Sequence, residues 1–169
     1  MGFEFRCRTC GEIHVGTPGF AAAAPLTYYA IAETERPTRC KLCSDDCIID
    51  DKWFFVRGCL EIPVHGADEP MIWGVWADVS EQSFLAWQKV SDQKRRSHVG
   101  PFLGWLNASL KSYPETLNLK TKVHLRDNGL RPWLELEPTD HPLAVEQRSG
   151  ISIDRVAEIY STMMHGTDH

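Results

Sequence analysis

The chain has 169 residues, 43% of them apolar and 24% charged, the mix of an ordinary folded domain and not of a disordered tail. That length fits one domain, or one domain with a small appendage, and buries roughly 70% of its unfolded surface, so the core needs neither metal nor disulfide to survive. With 18 basic against 23 acidic residues the net charge is −5, which excludes a protein held on nucleic acid by phosphate neutralisation.

The opening MGFEFRCRTC has no apolar segment of the kind a secretory signal needs, and no run approaches the ~20 apolar residues of a membrane helix. The expectation is a cytoplasmic protein with no membrane partner, in which six cysteines serve as metal ligands or free thiols and not as a disulfide framework. Five of those six fall in the first fifty residues, together with Pro18, Pro25 and Pro37. This part reads as a short strand around Phe3 and Phe5, a turn at Cys7–Gly11, and loop with one helical turn after Pro25. We divide the chain accordingly into a Cys-rich N-terminal lobe, residues 1–50, which does not fold by itself, and an α+β domain, residues 51–169.

In KWFFVRGCLEIPV, the residues Phe54, Val56, Leu60, Ile62 and Val64 alternate on one face, the period of a half-buried strand. The polar turn HGADEP leads to MIWGVWADV, where Met71, Trp73, Val75, Ala77 and Val79 alternate again, and the two predict an antiparallel pair. Trp53, Trp73, Trp76 and Trp87 all lie in periodic elements and are expected in the core. Cys59, mid-strand beside Gly58, reads as packing. Ser80 is a good N-cap for a helix through about Arg95 that buries Phe84, Trp87 and Val90.

The segments TLNLKTKVHLR and LRPWLELE flank Asp127-Asn128-Gly129, and Asn-Gly is the strongest two-residue hairpin signal because both central positions need positive φ. Centring the turn on Asn128 and Gly129 sets Val123 opposite Leu134 and Thr121 opposite Leu136 on the inner face. It also sets Lys122 opposite Glu135 and Lys120 opposite Glu137 on the outer face. A slip by one residue would mate lysine with leucine. Arg126 opposite Arg131 is the one flaw in this register. Two helices close the chain: one opened by Thr139 or Asp140 and stopped by Gly150, and one capped by Ser152 with Ile153, Val156, Ile159, Tyr160 and Met163 at helical spacing.

Cys7-Arg8-Thr9-Cys10 and Cys40-Lys41-Leu42-Cys43 form two C-x2-C pairs separated by 29 residues. Two thiolates three positions apart on a tight turn can reach one tetrahedral ion, so Cys7, Cys10, Cys40 and Cys43 are the expected ligands of a structural Zn2+. Cys47 and His14, each four residues after a pair, are alternates. A closed four-ligand site would hold the first fifty residues in place and do no chemistry. Buried free thiols and a redox C-x2-C pair are the competing readings.

The densest titratable tract is Glu135, Glu137, Thr139, Asp140 and His141, where a strand gives way to a helix. His141 with Asp140 or Glu137 would make a general base with a carboxylate orienter, and His124 on the hairpin's outer face is a second imidazole. The plainer account leaves the glutamates to their lysine partners and Asp140 or Thr139 to helix capping. No nucleophile elbow, phosphate loop or zinc-protease motif accompanies them.

Taken together, CRTCGEIH, DDCIIDDKWFFVRGCLEIPV, WGVWADVSEQSF, GWLNASLKSYPETLNLKTKVH and RPWLELEPTDHPLAVEQRSGIS resemble a bacterial family known as domain of unknown function 2199, from about Phe3 to Ile159. The resemblance implies a bacterial single-domain protein with no established activity. In that family the positions of Cys7, Cys10, His14 and Cys47 carry the Cys and His character, while that of Cys43 is often Ser, which favours His14 or Cys47 over Cys43 as a ligand. The TDHPLA tract around His141 is equally characteristic.

The expected fold is α+β: an antiparallel sheet of four or five strands with helices packed on one side, plus a zinc-knuckle-like N-terminal lobe. The expected function is a zinc-stapled binding or interaction module, without catalytic activity, for a protein or small molecule. The alternatives are a hydrolase using His141 and a thiol-based redox sensor using Cys7 and Cys10.

Overall fold

The computed structural model describes residues 2–166. Two short strands, β1 (Glu4–Arg6) and β2 (Ile13–Val15), pair antiparallel around the turn that carries Cys7 and Cys10. β3 (Gly19–Ala21), the helical turns α1 (Leu26–Tyr29) and α2 (Arg36–Arg39), and the hairpin β4 (Cys40–Leu42) and β5 (Asp46–Ile49) follow. Then come the two long strands β6 (Trp53–Ile62) and β7 (Met71–Val79), helix α3 (Glu81–Val90), and the strands β8 (Phe102–Leu106), β9 (Lys120–His124) and β10 (Trp133–Leu136). Helices α4 (Pro142–Ser149) and α5 (Ile153–His165) complete the chain.

The expected pair β6–β7 forms antiparallel from Phe54 opposite Val79 to Ile62 opposite Met71. The expected hairpin forms in the expected register, with Val123 opposite Leu134, Thr121 opposite Leu136 and Lys122 opposite Glu135. Asn128 and Gly129 have φ of 61° and 74°, the left-handed conformation the turn demands. The facing arginines part: Arg126 reaches Glu61 at 2.7 Å and Arg131 reaches Asp45 at 2.9 Å, so each charge has its own carboxylate.

The open sheet with helices on one side is corrected. β6, β7, β8, β9 and β10 pair in that order and close into a five-stranded barrel, because β10 returns to β6 in parallel, Trp133 opposite Cys59. Gly58 makes the closure possible. A Cβ there would stand 2.8 Å from the Leu134 side chain and 2.9 Å from the Pro132 carbonyl oxygen. In the gap this leaves, the Cys59 N–H donates to Pro132 C=O at 2.8 Å. A closed barrel has no single side for helices. α3 packs on β6, with the Phe84 and Phe54 rings 5.2 Å apart, α4 lies against β6 and β10, and α5 lies against β1. Their buried faces join Phe54, Val56, Leu60, Met71, Trp73 and Val123 in the cluster that fills the barrel.

Among the described residues a separate zinc-knuckle lobe is not shown at the N-terminus. Its strands are shared out over the barrel wall: β3 adds in parallel to β7, β5 adds antiparallel to the first half of β6 with β4 outside it, and β1–β2 rests on α5. This follows from the lengths of β6 and β7, whose outer edges each carry two short strands in series. A second apolar cluster, of Ile31, Cys47, Ile49, Phe55 and Trp76 with Cys40 against it, seals β4–β5 and α1 onto the barrel's outer surface.

Two smaller expectations also change. Trp53, expected in the core, is 45% exposed. α3 stops at Val90 instead of about Arg95, because the buried Arg96 folds back and donates to the carbonyls of Ser91, Arg126 and Leu130 at 2.6–2.8 Å. That one guanidinium fastens the helix's end to the hairpin turn, 5.2 Å from the Trp87 ring centroid.

Candidate metal centre

The turn between β1 and β2 is closed by Gly11 N–H donating to Cys7 C=O at 3.0 Å and by Cys7 N–H donating to Glu12 C=O at 2.9 Å. Gly11 supplies the positive φ, 75°, on which the chain reverses. Cys7 is 1% exposed and Cys10 is exposed. Burial pushes the Cys7 thiol up, but the N–H groups of Cys10 and Thr9, with the Cys10 and His165 side chains, pull it further down, to about 7. A site that favours the thiolate favours a metal ligand.

Helix α5 brings in the third donor. Tyr160 packs edge-on to Phe5 with ring centroids 5.2 Å apart and lies 4.4 Å from the His14 ring, while Arg8 pairs with Glu158 at 3.7 Å. The hydroxyls of Thr9 and Ser161 share a hydrogen bond. Docked this way, the last residue of α5, His165, meets the two thiols. The ligating atoms of Cys7, Cys10 and His165 all lie within 4.8 Å of one another, as do those of Cys10, Glu12 and His14. Cys10 belongs to both groups. His14 Nε2 is buried and has no hydrogen-bond partner. These residues could hold a metal ion.

Among the described residues, neither group contains Cys40, Cys43 or Cys47. The two C-x2-C pairs sit on different elements, one in the β1–β2 turn against α5 and the other on the β4–β5 hairpin added to β6. Cys40 and Cys47 pack in the second apolar cluster, and Cys43 is exposed at the β4–β5 turn. Burial pushes all three thiols up, and Cys47, with the nearby Cys40, Asp46 and Cys43 adding to the effect, is pushed up to about 12. His14 and Cys47, level as alternates in the sequence, are thus separated: His14 lies beside Cys10 and Glu12, and Cys47 lies in the packing.

His141 has a different role. It is itself the N-cap of α4, where Thr139 or Asp140 was expected: Nδ1 accepts from Leu143 N–H at 3.1 Å. The other nitrogen, Nε2, donates to Glu115 C=O at 3.0 Å. Both ring nitrogens are therefore spent on backbone, and neither Asp140 nor Glu137, both exposed, hydrogen-bonds the ring. His124 stacks on Trp133 with centroids 4.9 Å apart and pairs with Glu135 at 3.0 Å on the barrel's outer surface. The residue that sequence reasoning missed is His165, thirteen positions past the end of the tract RPWLELEPTDHPLAVEQRSGIS. Its only local signal is a basic residue in a helix's last turn.

The molecule is thus an α+β barrel protein with a Cys/His cluster where its first turn meets its last helix. The chain belongs to the bacterial family described as "Uncharacterized protein conserved in bacteria (DUF2199)", which matches residues 6–151. No curated protein and no solved structure matches it. The matched stretch includes Cys7, Cys10, His14 and the whole barrel, and ends before His165. No helix among the described residues is long and apolar enough to cross a membrane.

Proposed function

We propose that the protein is a zinc-stapled binding module of the bacterial cytoplasm, without catalytic activity. In this reading Cys7, Cys10 and His165 ligate a structural Zn2+, and His14, which now groups with Cys10 and Glu12, moves in to complete the tetrahedron. The observation that carries it is the convergence of three ligating atoms from the two ends of the chain, within 4.8 Å of one another. Two thiolates and two imidazoles are a donor set suited to zinc, and filling all four positions leaves none for substrate or activated water. The ion would clamp the β1–β2 turn onto α5, leaving the barrel's outer surface as the part that meets a protein or small-molecule partner.

The test is metal content per chain on untagged protein purified without chelator, beside Cys7→Ser and His165→Ala. About one zinc per chain, lost from Cys7→Ser together with part of the thermal stability, is the expected result. Metal-free protein, with Cys7→Ser as stable as the parent, would overturn it. The Cys7 thiol near 7 also favours a second reading, a redox pair of Cys7 and Cys10. That reading requires the metal-free outcome and a disulfide that forms and reduces reversibly between these two residues.

A further inference from the structure

The register of the barrel places one carboxylate in an unusual position. Asp78 on β7 stands opposite Phe55 of β6 on one side and opposite Trp105 of β8 on the other. All three point outward, because their neighbours Ala77 and Val79 belong to the barrel filling. Phe55 is sealed under the second apolar cluster, so Asp78 is half-buried on its inner flank. Among the described residues no side chain hydrogen-bonds or ion-pairs with it. Desolvation pushes its carboxyl above the usual range, with no opposing cause. A carboxylate held away from water without a partner costs stability, and the fold places nothing there to offset it.

Two tryptophans flank this group. Trp105 is 39% exposed and Trp53, on the outer face of β6 beside Phe55, is 45% exposed. Together with Asp78 they line a cleft of about 420 Å³ between β6, β7, β8 and the start of α3. The only basic residue lining it is Lys52, whose Nζ already lies over the Trp53 ring, 5.3 Å from its centroid. That contact is a cation–π pair between chain neighbours, the kind of contact an aromatic face makes with a cation. The N-terminus of α3 at the rim could favour an anion, but Ser80 Oγ takes one of its N–H groups, from Ser83, and Glu81 stands in its first turn.

We propose that this cleft is a binding site for an organic ammonium group, a primary or quaternary amine head whose charge pairs with Asp78 while its carbon shell packs on Trp53 and Trp105. An aromatic face attracts cations through its ring quadrupole, and a partly desolvated carboxylate supplies the full opposite charge. A neutral ligand would leave Asp78 unpaired, and an anion would meet it directly. The same chemistry is offered by a free small amine and by a lysine side chain on a partner protein. The proposal rests on the binding-module reading and supplies its ligand class, without depending on the metal.

The test is an NMR titration of the isotope-labelled full chain, followed at the indole N–H signals, with choline, n-butylammonium, a capped Gly-Lys-Gly peptide and the neutral carbon isostere of choline. Metal content is measured on the same sample, so a missing metal and an empty cleft are separate results. Saturable shifts of the Trp53 and Trp105 signals with the cations, weakened about tenfold or more in Asp78→Asn and lost in Trp105→Ala, are expected. Both variants are first checked for parental thermal stability; if Trp105→Ala unfolds, Trp105→Phe takes its place. Tighter binding of the peptide than of butylammonium identifies a protein lysine as the source, and equal or weaker binding identifies a small amine. The proposal is overturned if no cation gives a saturable shift, if the neutral isostere binds as well as choline, or if Asp78→Asn binds like the parent.

Discussion

Leu134 occupies the space that a side chain on Gly58 would need: a Cβ at that position would lie 2.8 Å from two of its carbon atoms. Gly58 is thus the seam of the barrel, and Gly58→Ala should cost about 1–3 kcal/mol, the range of an overpacked core, with Gly58→Val worse. Thermal or denaturant unfolding reads the loss. A parental midpoint for Gly58→Val would mean that the β6–β10 contact is not part of the folded barrel.

Arg96 makes a second falsifiable joint. Its guanidinium serves three carbonyls at once, a geometry that a lysine ammonium on a flexible stem does not reproduce. Arg96→Lys should therefore lose most of what Arg96→Ala loses, on the order of 3 kcal/mol, since the buried carbonyls of Ser91, Arg126 and Leu130 lose their donor. Equilibrium unfolding of the two variants side by side decides it.

Asp127 gives the chain a pH signature. The N–H groups of Arg96 and Ser97 both donate to its Oδ1 at 2.8 Å and hold its carboxyl below the usual range. A carboxyl depressed by folding stabilises the native state above its ordinary pKa and ceases to do so as pH falls through the depressed value. Asp127→Asn should melt below the parent at pH 7, with the gap shrinking as pH drops below about 4. A gap that is constant with pH would show that the charge contributes nothing.

The cysteines should separate by reactivity. Cys47, fully buried with its thiol pushed up to about 12, should resist iodoacetamide in native protein at pH 8 and react only on unfolding. Cys10, exposed on its turn, should react early in metal-free protein and be protected when zinc is added. Mass spectrometry of labelled peptides distinguishes them. Early labelling of Cys47 would show that the second apolar cluster opens in the native state.

His141→Ala should lose about 1 kcal/mol, the worth of an N-cap, and His141→Asn should recover most of it. A hydrolytic role would instead lose activity in both variants, and thermal melts beside a hydrolase panel tell the two apart.

Elements specified by neighbouring residues were legible in the sequence. The Asn128-Gly129 turn fixed the β9–β10 register, alternation found β6 and β7, and Ser80 and Ser152 cap the helices assigned to them. What was not legible depends on distant partners. Barrel closure hangs on one parallel pairing and on a glycine whose reason is a leucine 76 positions away. Equal C-x2-C spacing concealed two different environments, because only tertiary placement decides whether a thiol meets an imidazole or an apolar layer. His165 reaches the first cysteines only through the docking of α5, which no local pattern announces. At His141 the cap preference for Thr or Asp misled, since an imidazole nitrogen accepts a backbone N–H equally well.

The doubling of short strands along the edges of β6 and β7 has a bearing on life in a crowded cell. The sheet runs from β3 to β4, and each of these end strands is three residues long. The ten- and nine-residue strands that would be the natural templates for amyloid-like growth have their backbones enclosed between neighbours. A stray chain looking for unpaired backbone at either end of this sheet would find room for little more than one turn of the pleat. At the β4 end it would also meet Lys41, 74% exposed and paired with Asp51.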